Sequence, residues 1–398
     1  MNRGVPTLLV VLVALLVLPL SGCWSKIELN DRSFITSAYL DLGERPGEIM
    51  LTVGSPLPNR IGSIGNTEST PQQGKSYTSV AASAPTIPEA LDKIQNDLTR
   101  KLTWGQTRAL VVSADYASQV GLQDVLEWAS RNPSFPFRTF VFISEGNARE
   151  VMNLTPVYER APAEVLRKYG NRKFVGQTTV KDLAVATTSG VGTVVPLLRT
   201  GQKPQISENN KVSPWTGISG AAMIQDMRMK GRLGISEAKV VSWVEGNLAG
   251  PMYDVLSNAG KFDYKLNRLN ASIAPVVSSA GDITCRVKLS AEATLESAVT
   301  SKNITNPAVL HELEGQMNVA IASDLQRALE SSQSAGVDIL ELGQKLEWRY
   351  PRLWARLKNK WVQVYAEEVR FKTKVDIRVT HLDGEHEPLW TIQEAKSQ

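Results

Sequence analysis

Cysteine is scarce in this chain: among 398 residues, Cys23 and Cys285 are the only two. Because Cys23 ends a short lipidation motif at residues 20–23, Cys285 is left alone and no internal disulfide is expected. Cys285 lies in the run ITCRVKLSA, where apolar and polar residues alternate as they do along a strand. We therefore predict a buried thiol on the inner face of a strand.

Histidine is nearly as rare, with three residues in the whole chain. His311 falls on a predicted helix, and His381 and His386 fall in the acidic run THLDGEHEP, whose spacing matches no zinc or calcium loop. Ser236 and Lys239 have Ser-x-x-Lys spacing without a companion motif. The chain also lacks Gly-x-Ser-x-Gly, a phosphate-binding Gly-rich loop and His-Glu-x-x-His. We therefore predict that the chain is not an enzyme and has no catalytic residues, cofactor or metal site.

The charge balance is small, with a formal net charge of +4. Such a balance gives no indication of a nucleic-acid partner, and none is expected. Hydrophobic residues make up 42% of the chain and charged residues 21%, which is typical of a folded, water-exposed body. After the first 22 residues, no stretch approaches the length and hydropathy of a membrane span.

A secretory leader is present at the start. Arg3 supplies positive charge, the run LLVVLVALLVL at residues 8–18 is unbroken and apolar, and residues 20–23 read Leu-Ser-Gly-Cys. The apolar run is shorter than the roughly 20 residues that a spanning helix needs. We predict that residues 1–22 are a cleaved lipoprotein signal peptide and that Cys23 is lipidated. The alternatives are an ordinary signal peptide with a chance cysteine and an uncleaved anchor.

The pattern of apolar residues predicts a multi-domain, mixed α/β and α+β architecture. Strands and helices alternate through residues 23–200, which we interpret as an N-terminal mixed α/β domain. Glycines, prolines and polar residues then predict an extended linker at 201–214. Residues 215–388 are predicted to form a C-terminal α+β domain, and the alternative is a division into the subdomains 215–265 and 266–388. There an antiparallel sheet packs against a long helix that starts at Asn306-Pro307 and ends near Gly336.

Two side-chain patterns near the C-terminus have two interpretations each. The aromatic stripe (Tyr350, Trp354, Trp361 and Tyr365) has helical spacing, so it is more often core than a partner-binding face. Arg370, Lys372, Lys374 and Arg378 alternate with apolar residues on a predicted strand. They are interpreted as a solvated face that blunts edge pairing, with contact to lipid headgroups as the alternative.

Several segments together resemble a known family. Gly22-Cys23-Trp24 followed by IELND, the stretch from Leu98 to Pro136, Ser219 to Glu245 and, most strongly, Ile304 to Gly384 are similar in order and pattern to the Ger(x)C family. These are C-subunit lipoproteins of the receptors that trigger spore germination. The last of these segments contains SAGVDILELGQKL and YPRLWARLKNKWVQVYAE.

The resemblance implies a non-enzymatic subunit of a nutrient germinant receptor with a mixed α/β fold. Its expected location is the outer face of the inner spore membrane, where it would be held by lipid at Cys23. Its expected partners are an A-type and a B-type integral-membrane subunit. The alternative is a solute-binding lipoprotein of an ABC-type importer. Size and lipidation fit that class equally, but it needs two similar lobes around a ligand cleft, and the two halves of this sequence differ.

Overall fold

The computed structural model describes residues 28–58, 75–205, 211–257, 260–300, 303–304 and 306–382. Among these residues strands outnumber helices, and they form two large sheets and a small one in which Arg32–Phe34 pairs with Lys101–Thr103. The N-terminal strands and helices are β1 (Arg32–Phe34), β2 (Ser37–Leu42), β3 (Ile49–Pro56), β4 (Tyr77–Ala84), α1 (Ile87–Asn96), β5 (Lys101–Thr103), β6 (Ala109–Ser113), α2 (Ala114–Gln119), α3 (Gln123–Arg131), β7 (Phe140–Ser144), α4 (Ala148–Val151), α5 (Pro162–Arg172), α6 (Val180–Ser189), β8 (Thr193–Gln205), β9 (Lys211–Gln225) and β10 (Arg228–Gly234).

The C-terminal part continues with a helix and a second group of strands. Its elements are α7 (Ile235–Val244), β11 (Met252–Ser257), β12 (Gly260–Val277), β13 (Ile283–Val299), α8 (Pro307–Ala335), α9 (Leu342–Arg349), α10 (Pro351–Leu357), α11 (Trp361–Glu367) and β14 (Arg370–Leu382). Single turns of 3₁₀ helix lie at Leu29–Asp31 and Lys358–Lys360.

The first large sheet has eight strands in the order β10-β9-β8-β7-β6-β2-β3-β4. Its middle strands, β2, β6, β7 and β8, run parallel. Every residue of β6 and of β7 is buried, which is typical of parallel strands covered on both faces. Alternate residues of β6 serve two cores: Leu110 and Val112 face one layer of helices, while Ala109 and Val111 face the other.

The predicted linker at 201–214 is not a linker where the structure describes it. Residues 201–205 end β8 and residues 211–214 begin β9, and these two long strands pair antiparallel from Thr193–Ile224 to Gln205–Lys211. The prolines and glycines in this stretch were interpreted as breakers, but prolines are tolerated in strands at positions that donate no ladder hydrogen bond. The first sheet therefore extends into residues that the sequence assigned to the C-terminal part.

The second large sheet has the order β11-β12-β13-β14. The prediction of antiparallel strands is confirmed for β11, β12 and β13, but β14 pairs parallel with β13 and corrects it at one edge. A parallel neighbour needs a long crossover, and α8 to α11 supply it. The predicted long helix is confirmed as α8, with Asn306 capping its start and Gly336 its end in a left-handed conformation.

The aromatic stripe lies in the core, as its spacing favours. Trp354, Trp361 and Tyr365 are buried and pack in succession, with ring centroids 5.3 and 6.0 Å apart. The single helix predicted over residues 350–365 is broken into α10 and α11 by the 3₁₀ turn at Lys358–Lys360. In the part of the chain that the structure describes, no helix combines the length and apolar character needed to cross a membrane.

Candidate functional site

The main candidate site is a cleft of about 380 Å³ between the two sheets. One wall comes from α6 and β8 of the N-terminal part, and the other comes from the end of α7, from β12 and from the start of α9. We call this feature the inter-sheet cleft; its lining residues are Gln177, Thr178, Asp182, Thr193, Val194, Val244, Glu245, Asn247, Ala271, Ile273, Leu340, Glu341 and Lys345.

Three carboxylates and one amine line the inter-sheet cleft. Burial, followed by the negative charge of Glu341, raises the pKa of the half-buried Glu245 from its ordinary value to about 8. Burial also raises the pKa of Glu341, and the nearby Lys345 opposes that rise. Asp182 adds a further negative charge from α6. Glu245 and Glu341 therefore take up protons more readily than exposed carboxyl groups do.

A buried carboxylate lies close to the cleft, in the segment between α8 and α9. Asp338 is 1% exposed, and its two oxygens accept hydrogen bonds from the backbone N–H of Leu342 (2.9 Å), the backbone N–H of Gly343 (2.7 Å) and the indole N–H of Trp361 (2.9 Å). Burial raises the pKa of Asp338, and these three donors oppose the rise. Asp338 thus caps α9 and ties that helix to α11.

Glu341 owes its place in the cleft to this short segment. Its φ of 51° lies in the left-handed region, which lets the chain turn sharply into α9 while Val337, Asp338, Ile339 and Leu340 are all buried. At Gly343 a Cβ atom would lie only 2.7 Å from a ring carbon of Trp354 and 2.9 Å from Trp361 Nε1. Glycine is therefore required there for the two tryptophans to pack against α9.

The cleft offers hydrogen-bond and charge partners to a small polar ligand, not a recognisable catalytic set. Its carboxylates suit an amine or another cation, and Lys345 suits an acidic group. Among the described residues, no three His, Cys, Asp or Glu side chains are grouped as metal ligands would be.

The residues singled out from the sequence do not come together. Cys23 and His386 lie outside the described residues, and so does the side chain of His381. His311 is exposed on α8, with its Nδ1 3.7 Å from a carboxylate oxygen of Glu314. Cys285 is buried on β13, as predicted, and burial raises the pKa of its thiol to about 12.

The Ser-x-x-Lys pair lies on α7, and its lysine is engaged with aromatic rings. Lys239 Nζ is 4.9 Å from the ring centre of Phe174 and 5.8 Å from that of Tyr253. Ser236 is the second residue of this helix, and Gly234 is the N-cap. Lys239 thus has a packing role, and Ser236 is exposed.

Comparisons with known proteins agree over most of the chain. The family model described as "Spore germination protein N-terminal domain" matches residues 25–200, and the model described as "Spore germination B3/ GerAC like, C-terminal" matches residues 219–382. The chain belongs to the GerAC-like family of spore germination proteins. The two models follow each other in the order that the resemblance predicted, so the predicted family is confirmed.

Similar individual proteins carry related names. Spore germination protein KC of Bacillus subtilis (strain 168) is 21% identical over 399 residues, which cover 96% of this chain and 97% of that protein. Putative spore germination protein YfkR of the same organism is 28% identical over 158 residues, so the match spans 40% of each chain. The crystal structure of the GerBC protein has a TM-score of 0.56 and 14% identity, and it covers 86% of this chain and 97% of that one. That likeness confirms the predicted mixed α/β fold.

The sequence reasoning missed the cleft residues and the buried aspartates of this GerAC-like protein. The sequence around Asp338 could have indicated its role, since an acidic residue within the apolar run VDIL just before a helix is typical of a buried cap. Asn147 precedes α4, but its side chain does not cap the helix; the Asp41 carboxylate does so, accepting from the N–H groups of Ala148 (2.6 Å) and Arg149 (3.0 Å). Asp41 lies 107 positions before Ala148, so no local pattern could have revealed it.

Proposed function

We propose that this chain is a membrane-anchored lipoprotein subunit of a nutrient germinant receptor. It would be held by lipid at Cys23 on the outer face of the inner spore membrane and would assemble there with an A-type and a B-type integral-membrane subunit. The observation that carries the proposal is the pair of consecutive family matches, which together run from residue 25 to residue 382. The Leu-Ser-Gly-Cys motif at residues 20–23 supports the anchor.

Tethering gives such a subunit a physical role without catalysis. A protein confined to the membrane surface meets its membrane partners at a much higher effective concentration than a free one. Anchoring of this kind is durable only with two or more acyl chains, which a lipoprotein cysteine carries. The folded body then supplies a docking surface, because β8, β9 and β10 at one end of the first sheet share a hydrophobic core with the second sheet and α8.

Affinity purification from detergent-solubilised spore inner membrane tests the proposal. The tagged chain should recover two multi-spanning proteins, and mass spectrometry should find diacylglycerol on Cys23. A Cys23→Ala variant should lose both the lipid and most of the receptor function, while Cys285→Ala, which keeps the anchor, should keep both. Full germination with an unlipidated chain, or recovery of an ABC-type permease, would contradict the proposal.

The inter-sheet cleft favours a second candidate, a solute-binding lipoprotein. A volume of about 380 Å³ suits an amino acid or a small sugar. Against it, one sheet has eight strands and the other four, so the cleft does not lie between two similar lobes. Calorimetric titration of the chain with amino acids and sugars separates the two functions. Binding that is abolished by Glu245→Gln and Glu341→Gln would favour the solute-binding candidate.

A further inference from the structure

One end of the outer face of the C-terminal sheet carries five exposed cations on two adjacent strands. We call it the basic face: Arg286 and Lys288 on β13, and Arg370, Lys372 and Lys374 on β14. Because β13 and β14 pair in parallel register, Arg286 stands opposite Lys372 and Lys288 stands opposite Lys374. Strands in a sheet are about 4.8 Å apart, so two like-charged pairs face each other at close range. Such pairs destabilise a sheet, and the arrangement therefore calls for an explanation other than stability.

Protection of a sheet edge does not explain the whole of the basic face. Lysines often blunt an exposed edge strand, and β14 is an edge. Two backbone N–H groups of β14 are already bonded, however: that of Ile377 to Asn318 Oδ1 and that of Val379 to Glu314 Oε1, each at 2.8 Å. Arg286 and Lys288 lie on β13, which has a partner strand on both sides.

Internal charge neutralisation does not explain it either. Within the described part of the chain, none of the five cations forms an ion pair, and Arg370 donates only to the backbone carbonyl of Glu367, at 3.1 Å. The carboxylates farther along the same strands have other partners. Glu292 is 2.7 Å from Arg268, and Asp376 is 3.8 Å from Arg378.

The side chains that surround the cations of the basic face indicate what kind of partner this face can bind. In the three rows of the basic face, β12 contributes only Val276, Ala274 and Ser272 beside the cations. A stable protein–protein interface usually has a core of large, mostly aromatic anchors, and these rows have none. A broad array of cations without apolar anchors fits a surface of many equivalent anions.

We propose that the basic face docks on the anionic phospholipid headgroups of the membrane that carries the anchor. The choice of membrane rests on the proposed function. The docking itself needs only negatively charged lipid. Each Lys or Arg near an anionic leaflet raises the partition coefficient of the protein onto the membrane about fivefold. Docking by this face would fix how the anchored body lies on the membrane, which attachment at a single residue alone cannot do.

Vesicle co-sedimentation of the mature chain with Cys23→Ser tests the proposal without any contribution from the anchor. The vesicles are pure phosphatidylcholine, or the same lipid with about one third phosphatidylglycerol. The double variant Lys372→Gln/Lys374→Gln removes two charges from the basic face. The control Lys358→Gln/Lys360→Gln removes two exposed charges from the helical layer on the other side of the sheet.

We expect binding to the anionic vesicles only, released by high salt. The Lys372/Lys374 variant should bind about 25-fold more weakly, from about fivefold per charge, and the control should change less than twofold. Melting temperatures should show that both variants are folded. Equal losses in both variants, or no preference for phosphatidylglycerol, would overturn the proposal.

Two further outcomes separate this proposal from other roles. If the chain ignores anionic vesicles but the Lys372/Lys374 variant fails to recover membrane proteins from spores, the face docks a protein and the lipid proposal is wrong. If Cys23 proves unlipidated while vesicle binding depends on the basic face, the anchor proposal fails and lipid docking stands.

Discussion

The indole N–H of Trp361 donates to the Asp338 carboxylate over 2.9 Å, and both side chains are buried. This bond joins α11 to the segment that starts α9, 23 positions apart in sequence. Asp338→Ala would leave three buried N–H donors without a partner, so we expect a loss of about 3–5 kcal/mol in the free energy of unfolding. Urea denaturation measures this. The exposed Asp92→Ala should change it by less than about 0.5 kcal/mol.

The coupling between the two side chains can be isolated. Trp361→Phe removes only one of the three donors to Asp338 and should cost about 1–2 kcal/mol. In the double variant Asp338→Ala/Trp361→Phe, the losses in the free energy of unfolding should not add. The double-mutant cycle should give an interaction free energy of about 0.5–3 kcal/mol. If the losses in the free energy of unfolding were strictly additive, the hydrogen bond between Trp361 and Asp338 would contribute nothing to stability.

Gly343 should be intolerant of any side chain. Gly343→Ala places a methyl group 2.7 Å from the Trp354 ring, and we expect it to cost about 1–3 kcal/mol through displacement of the two tryptophans. Near-ultraviolet circular dichroism should change with it, since the tryptophan environment moves. Gly315→Ala is the matched control on α8, where a Cβ atom would meet nothing within 4 Å. That variant should be neutral or more stable by up to about 1 kcal/mol.

The inter-sheet cleft should make stability fall as pH rises. Glu245 has a raised pKa, from 4.5 to about 8, so the folded state holds a proton that the unfolded state has lost in that range. The stabilisation is therefore complete below about pH 4.5 and is lost as pH approaches about 8. The Glu245 carboxylate is only half-buried and keeps part of its hydration, so the slope should not exceed about 1 kcal/mol per pH unit.

Denaturation at a series of pH values, with Glu245→Gln beside the parent chain, measures this slope. The groups that face Glu245 are Asp182, Glu341, Lys345 and Asn247, and all of them stay in place in the variant. The free energy of unfolding of Glu245→Gln should depend less steeply on pH than that of the parent chain. The control is Glu368→Gln, an exposed change at the end of α11. A parent chain that becomes more stable between pH 5 and pH 8 would contradict the expectation.

The Cys285 thiol should be unreactive in the folded protein. It is fully buried on β13, and its pKa is raised to about 12, so almost no thiolate forms near neutral pH. A thiol reagent should modify it only as fast as the chain unfolds. Ser290→Cys, an exposed position on the same strand, should react at once. Rapid labelling of Cys285 in the native Cys23→Ser chain would show that this part of the sheet opens readily.

The sequence by itself determined the features that repeat over a few residues. The apolar stripe of α8 with its Asn306 and Gly336 boundaries, the alternation around Cys285 and the burial of Trp354, Trp361 and Tyr365 were all predictable, because adjacent turns and pleats bring residues of one local pattern onto one face. The family was recognisable for the same reason, since the resemblance rests on the linear order of short segments, most strongly from Ile304 to Gly384.

Only the tertiary structure decided what depends on distant partners. The pairing of β8 with β9 made strands of a glycine- and proline-rich stretch, and the position of α8 made β14 parallel to β13. Three relationships exist only after the sheets form. Asp41 accepts a hydrogen bond from the start of α4, Glu341 acts on the charge of Glu245, and Arg286 stands opposite Lys372. These contacts join residues far apart along the chain, so their energies are set by packing and register, which no local periodicity encodes.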